Sequence, residues 1–523
     1  MGTELPPLPD RFNIAAACVD RWADAGHGER PAIRSEAQVL TYRGLQQTVD
    51  RLGSGLRSLG LGKGDRFLIR LPGGVPFYAS FLAGLKIGAV AIPTPELLRE
   101  RELRHIVNVA EVQLAITSDA LAEPIRALRE ELDVLKEVVC LDGAKATEVD
   151  FDGLVAVGTP DMQAADTTPQ DPAFILFSSG TTGVPKGIAH AHRAFNIGVG
   201  DPVGTEGMGL TPDDIVLHPH DPAWSYSLGC GFLFPLAEGA SIVASTSRIA
   251  PADILDRVQE HSVTILACVP TYYRAVLAIP DSERGKELRS LRHCLSAGEP
   301  LTTNTFKEWE RRIGVPILDH IGQGETSMFC ANKPGMKIKP GSVGTPLSGY
   351  RVAVIDGDGN EIVDEIGHLV IAEDNPGLFY DYLHMPEKWS ETHRNGWYHT
   401  GDLARRDDDG YFWYVSRSDD LINSRGYSIS PAEVEDILVD HPAVLEAGVV
   451  GHAHAQWGEI VTAYVSLQPE FTPSPELEAE LGDHVRRELA PFKAPKKWVF
   501  LQELPKTSTG KILRRELRRT RNE

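Results

Sequence analysis

Long apolar runs are missing from this chain. No stretch approaches the roughly 18 consecutive apolar residues that a membrane helix needs, which excludes a helical membrane span. Cysteine is sparse, with Cys18, Cys140, Cys230, Cys268, Cys294 and Cys330 scattered through 523 residues and none in C-x-x-C spacing. That pattern predicts reduced, buried thiols and argues against a zinc site. Positive charge is also short: 52 Lys and Arg against 73 Asp and Glu leave a net charge of −21. Nucleic acids and anionic membranes select basic surfaces, so neither is expected as a partner, although a nucleotide can bind in a locally basic pocket. Met1 to Asp10 is proline-rich and polar with no apolar core, so no secretory leader is expected and the cytoplasm is the expected location. Internal repeats and heptads are absent as well. What remains is a chain with 42% hydrophobic and 24% charged residues, ordinary for a globular protein and long enough for roughly two to four core units.

The most informative stretch is Ser178-Ser179-Gly180-Thr181-Thr182-Gly183-Val184-Pro185-Lys186-Gly187. It follows Ala173 to Phe177, a short apolar run bounded by Asp171-Pro172 that reads as a buried strand. Glycines let backbone N–H groups crowd around an anion, hydroxyls add donors, and Lys186 supplies a point charge for phosphate. A Walker-type P-loop fails here. Counting from Gly180, Pro185 stands where the second glycine belongs, and Gly187 follows Lys186 instead of Ser or Thr.

Along the chain, strands alternate with helices, which argues for a parallel α/β sheet. Thr41 to Leu45 leads a strand end into a helix reaching Leu59, Asp65 to Leu71 is a strand, Pro76 to Ile87 a helix, and Gly88 to Pro93 a strand. Residues 161–172 read as a loop. His190-Ala191-His192 offers two imidazoles at i, i+2 but no third ligand, so a helix start is expected there and not a metal site. Asp356 to Asn360 lacks the glycine and glutamate an EF-hand needs and reads as a hairpin turn. Asp407-Asp408-Asp409-Gly410 reads as a solvated turn before another strand. Pro431 to Val439 reads as a helix capped by Ser430, with strands at 447–450 and 461–465.

The 178–187 stretch resembles the phosphate-binding signature of the adenylate-forming enzymes: acyl- and aryl-CoA synthetases, luciferases and peptide-synthetase adenylation domains. Later motifs repeat the resemblance in order, from about Phe12 to Leu517. Ala297-Gly298-Glu299-Pro300 is similar to the family's segment beside the adenine. Asp319-His320-Ile321-Gly322-Gln323-Gly324-Glu325-Thr326 resembles its aromatic-Gly-x-Thr-Glu motif, with two departures. Ile321 takes the place of the adenine-stacking aromatic, as in benzoate-type ligases. Gly324 replaces a threonine that bonds the α-phosphate, a loss of roughly 1.5–3 kcal/mol unless Thr326, Gln323 or water substitutes. Asp402, in Thr400-Gly401-Asp402, and Arg417 match the residues that hold the ribose, and Glu325 matches the Mg²⁺ ligand. Lys511, in Gly510-Lys511-Ile512, resembles the lysine that bridges substrate carboxylate and α-phosphate. Asp419 falls at the family's hinge and Gly426 in the loop that lines the thiol tunnel. Ser225-Tyr226-Ser227-Leu228-Gly229 is similar to the A-Y-G-L-G of benzoate-type ligases, and with it Trp224, Tyr226, Ser227 and Gly229 become acyl-pocket residues. Ser428 lacks the arginine many acetyl-CoA-synthetase-like members carry, another benzoate-type trait.

The resemblance implies an α/β fold. A large N-terminal domain over 1–418 would hold mainly parallel sheets plus a β-barrel-like part, and a small mobile α+β domain over 419–523 would follow. It implies an acid–thiol ligase using ATP, Mg²⁺ and coenzyme A, with no tightly bound organic cofactor. Lys511, Glu325 and Lys186 would be catalytic. An aromatic acid of the benzoate or 2-aminobenzoate kind is the first-choice substrate. A medium-chain aliphatic acid, a carrier-loading adenylation enzyme and a non-catalytic nucleotide or acyl-adenylate sensor stay open, as do a homodimer and a carrier-protein partner.

Overall fold

The computed structural model describes residues 5–179, 185–197, 200–245, 249–280, 288–425, 427–454, 456–506 and 512–519, without the side chains of Ser179 and Ser428. Helix Tyr42–Ser58 illustrates how local sequence builds the layers. Leu45, Val49, Leu52 and Leu56 recur on one face and are at most 1% exposed. Burying each such side chain contributes about 1.5–3 kcal/mol, so Leu52→Ala would cost about 2–5 kcal/mol. Thr41 caps the start by accepting from Gly44 N at 3.1 Å. At the other end Gly60 sits at φ 87°, where the N–H groups of Gly60 and Leu61 bond the carbonyls of Arg57 and Leu56. Helix Val75–Lys86 and strands Arg66–Arg70 and Val90–Pro93 also lie where their apolar runs put them.

Two large sheets carry the N-terminal part. One has nine strands, and its centre runs parallel through Ile317–Gln323, His293–Ser296, Ile265–Cys268, Ile215–Leu217 and Ser241–Val243. Helices cover it, so a central strand such as Ile265–Cys268 is buried at every residue and shows no alternation. The second has eight strands, with Pro172–Ser179 parallel to Val90–Pro93 and antiparallel to Pro185–Ala191. The phosphate-type stretch therefore joins two antiparallel strands. Gly180, Thr181, Thr182 and Gly183 lie outside the described residues.

A five-stranded antiparallel sheet (Val352–Ile355, Ile366–Ala372, His393–Arg394, Trp397–Arg406, Phe412–Arg417) stands where a barrel-like part was expected. A smaller α+β unit follows, with a hydrophobic core drawn from residues between Ile422 and Phe500. Helix Pro431–Val439 opens there with a capping box between Ser430 and Glu433.

Two expectations need correction. His190 does not start a helix: it lies in strand Pro185–Ala191, buried, with its ring stacked on Phe174 at 4.7 Å. The pairing of that strand with Pro172–Ser179 overrides any local helical preference. Nor are Asp407 and Asp409 merely solvated, because Lys339 Nζ lies 2.5 and 2.7 Å from their carboxylates and 4.4 Å from the Tyr411 ring centroid. Among the described residues no helix is long and apolar enough to cross a membrane, and no cluster of three or more His, Cys, Asp or Glu could hold a metal ion.

Candidate active site

Strand Pro185–Ala191 brings Lys186 to the turn that follows strand Ile317–Gln323. Lys186 Nζ donates to Glu325 Oε1 at 2.7 Å and lies 4.6 Å from the Tyr382 ring centroid. The Tyr382 hydroxyl donates to the same carboxylate oxygen at 2.9 Å. Burial alone would raise the Glu325 carboxyl, but the Lys186 charge and the two hydrogen bonds outweigh it and hold the group below its ordinary value. Glu325 is thus an ionised oxygen donor, 8% exposed at its side chain. That suits a hard cation which takes most of its other ligands from phosphate oxygens and water.

The turn itself is held from both sides. His190 Nε2 donates to the Gly324 carbonyl at 2.8 Å, and Phe379 N donates to the Glu325 carbonyl at 2.8 Å. Burial pulls the His190 imidazole down to about 3, so it acts as a neutral donor. A Cβ at Gly322 would come within 2.5 Å of the Ser327 carbonyl oxygen, which requires glycine there. Among the described residues a Cβ at Gly324 would meet only Ile188 Cδ1, at 3.2 Å. The groups considered as replacements for the absent threonine are engaged elsewhere. Thr326 is fully buried with its hydroxyl donating to the Ser327 carbonyl at 3.1 Å, and Gln323 Nε2 donates to Asp402 Oδ2 at 2.6 Å. Thr326 thus lies within the turn, with its hydroxyl bonded locally.

Asp402 and Arg417 are cross-strand partners in the antiparallel sheet. Arg417 Nη1 donates to Asp402 Oδ1 at 3.1 Å and to the Thr400 carbonyl at 3.0 Å. Gly401, at φ 79°, lets the guanidinium approach, since a Cβ there would lie 2.7 Å from Arg417 Nη2. The Tyr398 hydroxyl donates to Gln323 Oε1 at 3.0 Å, which joins this pair to the Glu325 turn. Arg417 Nε is also 3.6 Å from Asp419. Ala297 and Gly298 follow strand His293–Ser296 at its carboxyl end, and Gly298 takes φ 89°. Glu299 accepts from Thr271 Oγ1 at 2.7 Å. Asp319, paired in register with Ser296, is buried, and burial pushes its carboxyl well up. Ile321 packs against the main core.

Trp224 and Tyr226 flank the start of the helical turn Ser225–Leu228, their ring centroids 5.4 Å apart and edge-on. The Tyr226 ring lies 5.2 Å from His320 and 4.6 Å from His218. Ser227 Oγ is 3.1 Å from His218 Nδ1, and a Cβ at Gly229 would lie 2.9 Å from Phe234. Sequence reasoning missed His218 and the role of His190. The signal for His218 was a histidine directly after an apolar strand, at the position where open α/β sheets bind ligands. Lys511 and Gly426 lie outside the described residues. On either side of Lys511, Lys506 bridges to Ile512.

The carboxyl end of the strand Ile317–Gln323 thus leads into the lysine–glutamate pair and, through Gln323, reaches the aspartate–arginine pair. The chain belongs to the AMP-binding enzyme family: the family model matches residues 19–383, and that of the AMP-binding enzyme C-terminal domain matches 433–511. It is 36% identical to a benzoate–CoA ligase of Thauera aromatica over 98% of this chain and 96% of that protein. It is 32% identical to the mitochondrial acyl-coenzyme A synthetase ACSM3 of Homo sapiens over 98% and 90%. Among solved structures, the anthranilate CoA ligase AuaEII in complex with anthranoyl-AMP superposes with a TM-score of 0.91 at 30% identity, covering 98% of both chains.

Proposed function

We propose that this chain is an ATP-dependent aryl-acid–CoA ligase. The observation that carries the reading is the wall of aromatic rings from His218, Trp224 and Tyr226, which meets His320 on the strand that leads into the Glu325 turn. A flat ring binds well on such a wall. Similarity to a benzoate–CoA ligase and to an anthranilate CoA ligase points the same way.

In the first half-reaction a carboxylate oxygen attacks the α-phosphorus of ATP. A new P–O bond forms, the bond to the β-phosphate oxygen breaks, pyrophosphate leaves and an acyl-adenylate remains. No side-chain nucleophile is required, so the protein contributes positioning and charge. Ser178, Ser179, Gly180, Thr181, Thr182, Gly183 and Lys186 are assigned to the phosphates, with Asp402 and Arg417 to the ribose. Ala297, Gly298, Glu299, Pro300, Asp319, His320, Ile321 and Gly322 form the nucleotide face. Lys511 is assigned to the bridge between carboxylate and α-phosphate. Glu325 would hold Mg²⁺, which when bound offsets phosphate charge. In the second half-reaction the CoA thiol attacks the acyl carbonyl and AMP leaves. A hinge at Asp419, between units 1–418 and 419–523, would exchange Lys511 for the Gly426 loop.

Similarity to the human acyl-coenzyme A synthetase supports a second reading, a medium-chain aliphatic acid. Pyrophosphate release with Mg-ATP, followed by mass spectrometry after adding CoA, separates the readings. Benzoate or 2-aminobenzoate yielding its thioester is the expected result. An octanoate kcat/KM about tenfold above every aromatic acid would overturn the aromatic assignment. Pyrophosphate release without a CoA thioester would favour a carrier protein as acceptor, and neither step with any acid would favour a nucleotide sensor.

A further inference from the structure

His218 is the ring in this wall that the ligase chemistry leaves without a task. It follows strand Ile215–Leu217 at its carboxyl end, and Ser227 Oγ, 3.1 Å from Nδ1, fixes its ring. Among the described residues its other nitrogen, Nε2, is buried without a hydrogen-bond partner, and so is the hydroxyl of Tyr226, whose ring centroid lies 4.6 Å away. Buried polar atoms are almost always paired, because leaving one unsatisfied costs its full desolvation. Two such atoms on adjacent rings of an acid-binding wall mark a place where the ligand supplies the partner. We infer that the aromatic acid carries a neutral hydrogen-bonding substituent, a hydroxyl or an amino group, which His218 Nε2 and the Tyr226 hydroxyl read together. The inference rests on the aryl-acid reading and narrows it to one chemical class.

The substituent has to be neutral. Burial, with smaller contributions from His220 and His320, pulls His218 well below its ordinary value, and burial raises Tyr226 well above its own. Both groups are therefore uncharged near neutral pH. The nearby Asp319 carboxyl is also pushed up by burial. A second carboxylate or an alkylammonium on the ring would be desolvated against uncharged groups and rejected. A phenol can donate to one of the two atoms and accept from the other, and an arylamine can donate to either. A site that pairs such a group discriminates strongly against analogues lacking it, since its own polar atoms would be left bare.

The test compares kcat/KM for thioester formation by the full-length enzyme with Mg-ATP and CoA. Substrates are benzoate, the three hydroxybenzoates, the three aminobenzoates and the three methylbenzoates, the methyl group matching the hydroxyl in size. At least one hydroxy- or aminobenzoate is expected to exceed both benzoate and its methyl isostere by about tenfold. His218→Phe is expected to shrink that ratio to about twofold, while His218→Gln, which keeps a hydrogen-bonding group, retains more of it. Benzoate or a methylbenzoate matching every polar analogue would overturn this inference and leave the aryl-ligase reading standing. Octanoate outrunning all aromatic acids would overturn both. An unchanged ratio in His218→Phe would remove His218 from the recognition.

Discussion

Lys186 and Glu325, 139 residues apart in sequence, meet at 2.7 Å, and the Tyr382 hydroxyl shares the same carboxylate oxygen. The pair keeps a carboxylate ionised although its side chain is 8% exposed. Without its cationic partner that charge would have to be neutralised by a proton. Glu325→Gln should lower the rate of pyrophosphate release by about a hundredfold or more and raise the Mg²⁺ concentration needed for half-maximal rate. Steady-state rates across a Mg²⁺ titration check this, and an unchanged requirement would refute the metal-holding role.

Gly324 offers a gain of function. Among the described residues only Ile188 Cδ1, at 3.2 Å, stands in the way of a Cβ, and the end of an isoleucine side chain can move by a few tenths of an ångström. Gly324→Thr should restore a hydroxyl donor toward the α-phosphate and raise kcat/KM for ATP about tenfold. An equal or lower value would mean that the chain has compensated by another route.

Asp402 is held by Arg417 and Gln323, which leaves its position set before nucleotide arrives. If it accepts from ribose hydroxyls, the enzyme should prefer ATP over 2′-deoxy-ATP by about tenfold, and Asp402→Asn should lose most of that preference. Competition kinetics with the two nucleotides read the ratio directly.

Lys511→Ala should abolish pyrophosphate release while leaving ATP binding within about threefold. Thioester formation from chemically prepared acyl-adenylate and CoA should survive if, as proposed, the second half-reaction exchanges this lysine for the Gly426 loop. Isothermal titration and the two half-reaction assays separate these effects.

Burial, with Glu435 adding to it and Arg274 opposing it, pushes the Asp436 carboxyl up to about 7. A carboxyl raised in the fold binds its proton more tightly than in the unfolded chain. Its stabilising contribution is therefore complete below about pH 4 and lost as pH rises through about 7. Asp436→Asn, which does not ionise, should raise Tm at about pH 8 by a few degrees relative to the parent and narrow the difference from about pH 6. Calorimetry at the two pH values decides it, and a variant that melts lower at both would contradict the assignment.

Much of this protein was legible from short-range signals. Thr41 and Gly60 bracket a helix because a β-region hydroxyl and a left-handed glycine satisfy its end groups locally. The Ser178 to Gly187 composition and the Gly322, Glu325, Asp402 and Arg417 motifs identified adenylate-forming chemistry without any contact being known. Short-range reading failed at His190, where strand pairing prevailed, and at Asp407 and Asp409, whose cation comes from Lys339 in a distant segment.

Sequence alone determined the family and those elements whose caps, turns and apolar periodicity act over a few residues. Only the tertiary structure decided that His190 holds the Gly324 carbonyl, that Gln323 links Glu325's turn to Asp402, and that His218, Tyr226 and His320 share one wall. Those meetings follow from strand order and register in the sheets. That order is set by how the whole chain buries its apolar faces, and no local stretch encodes it.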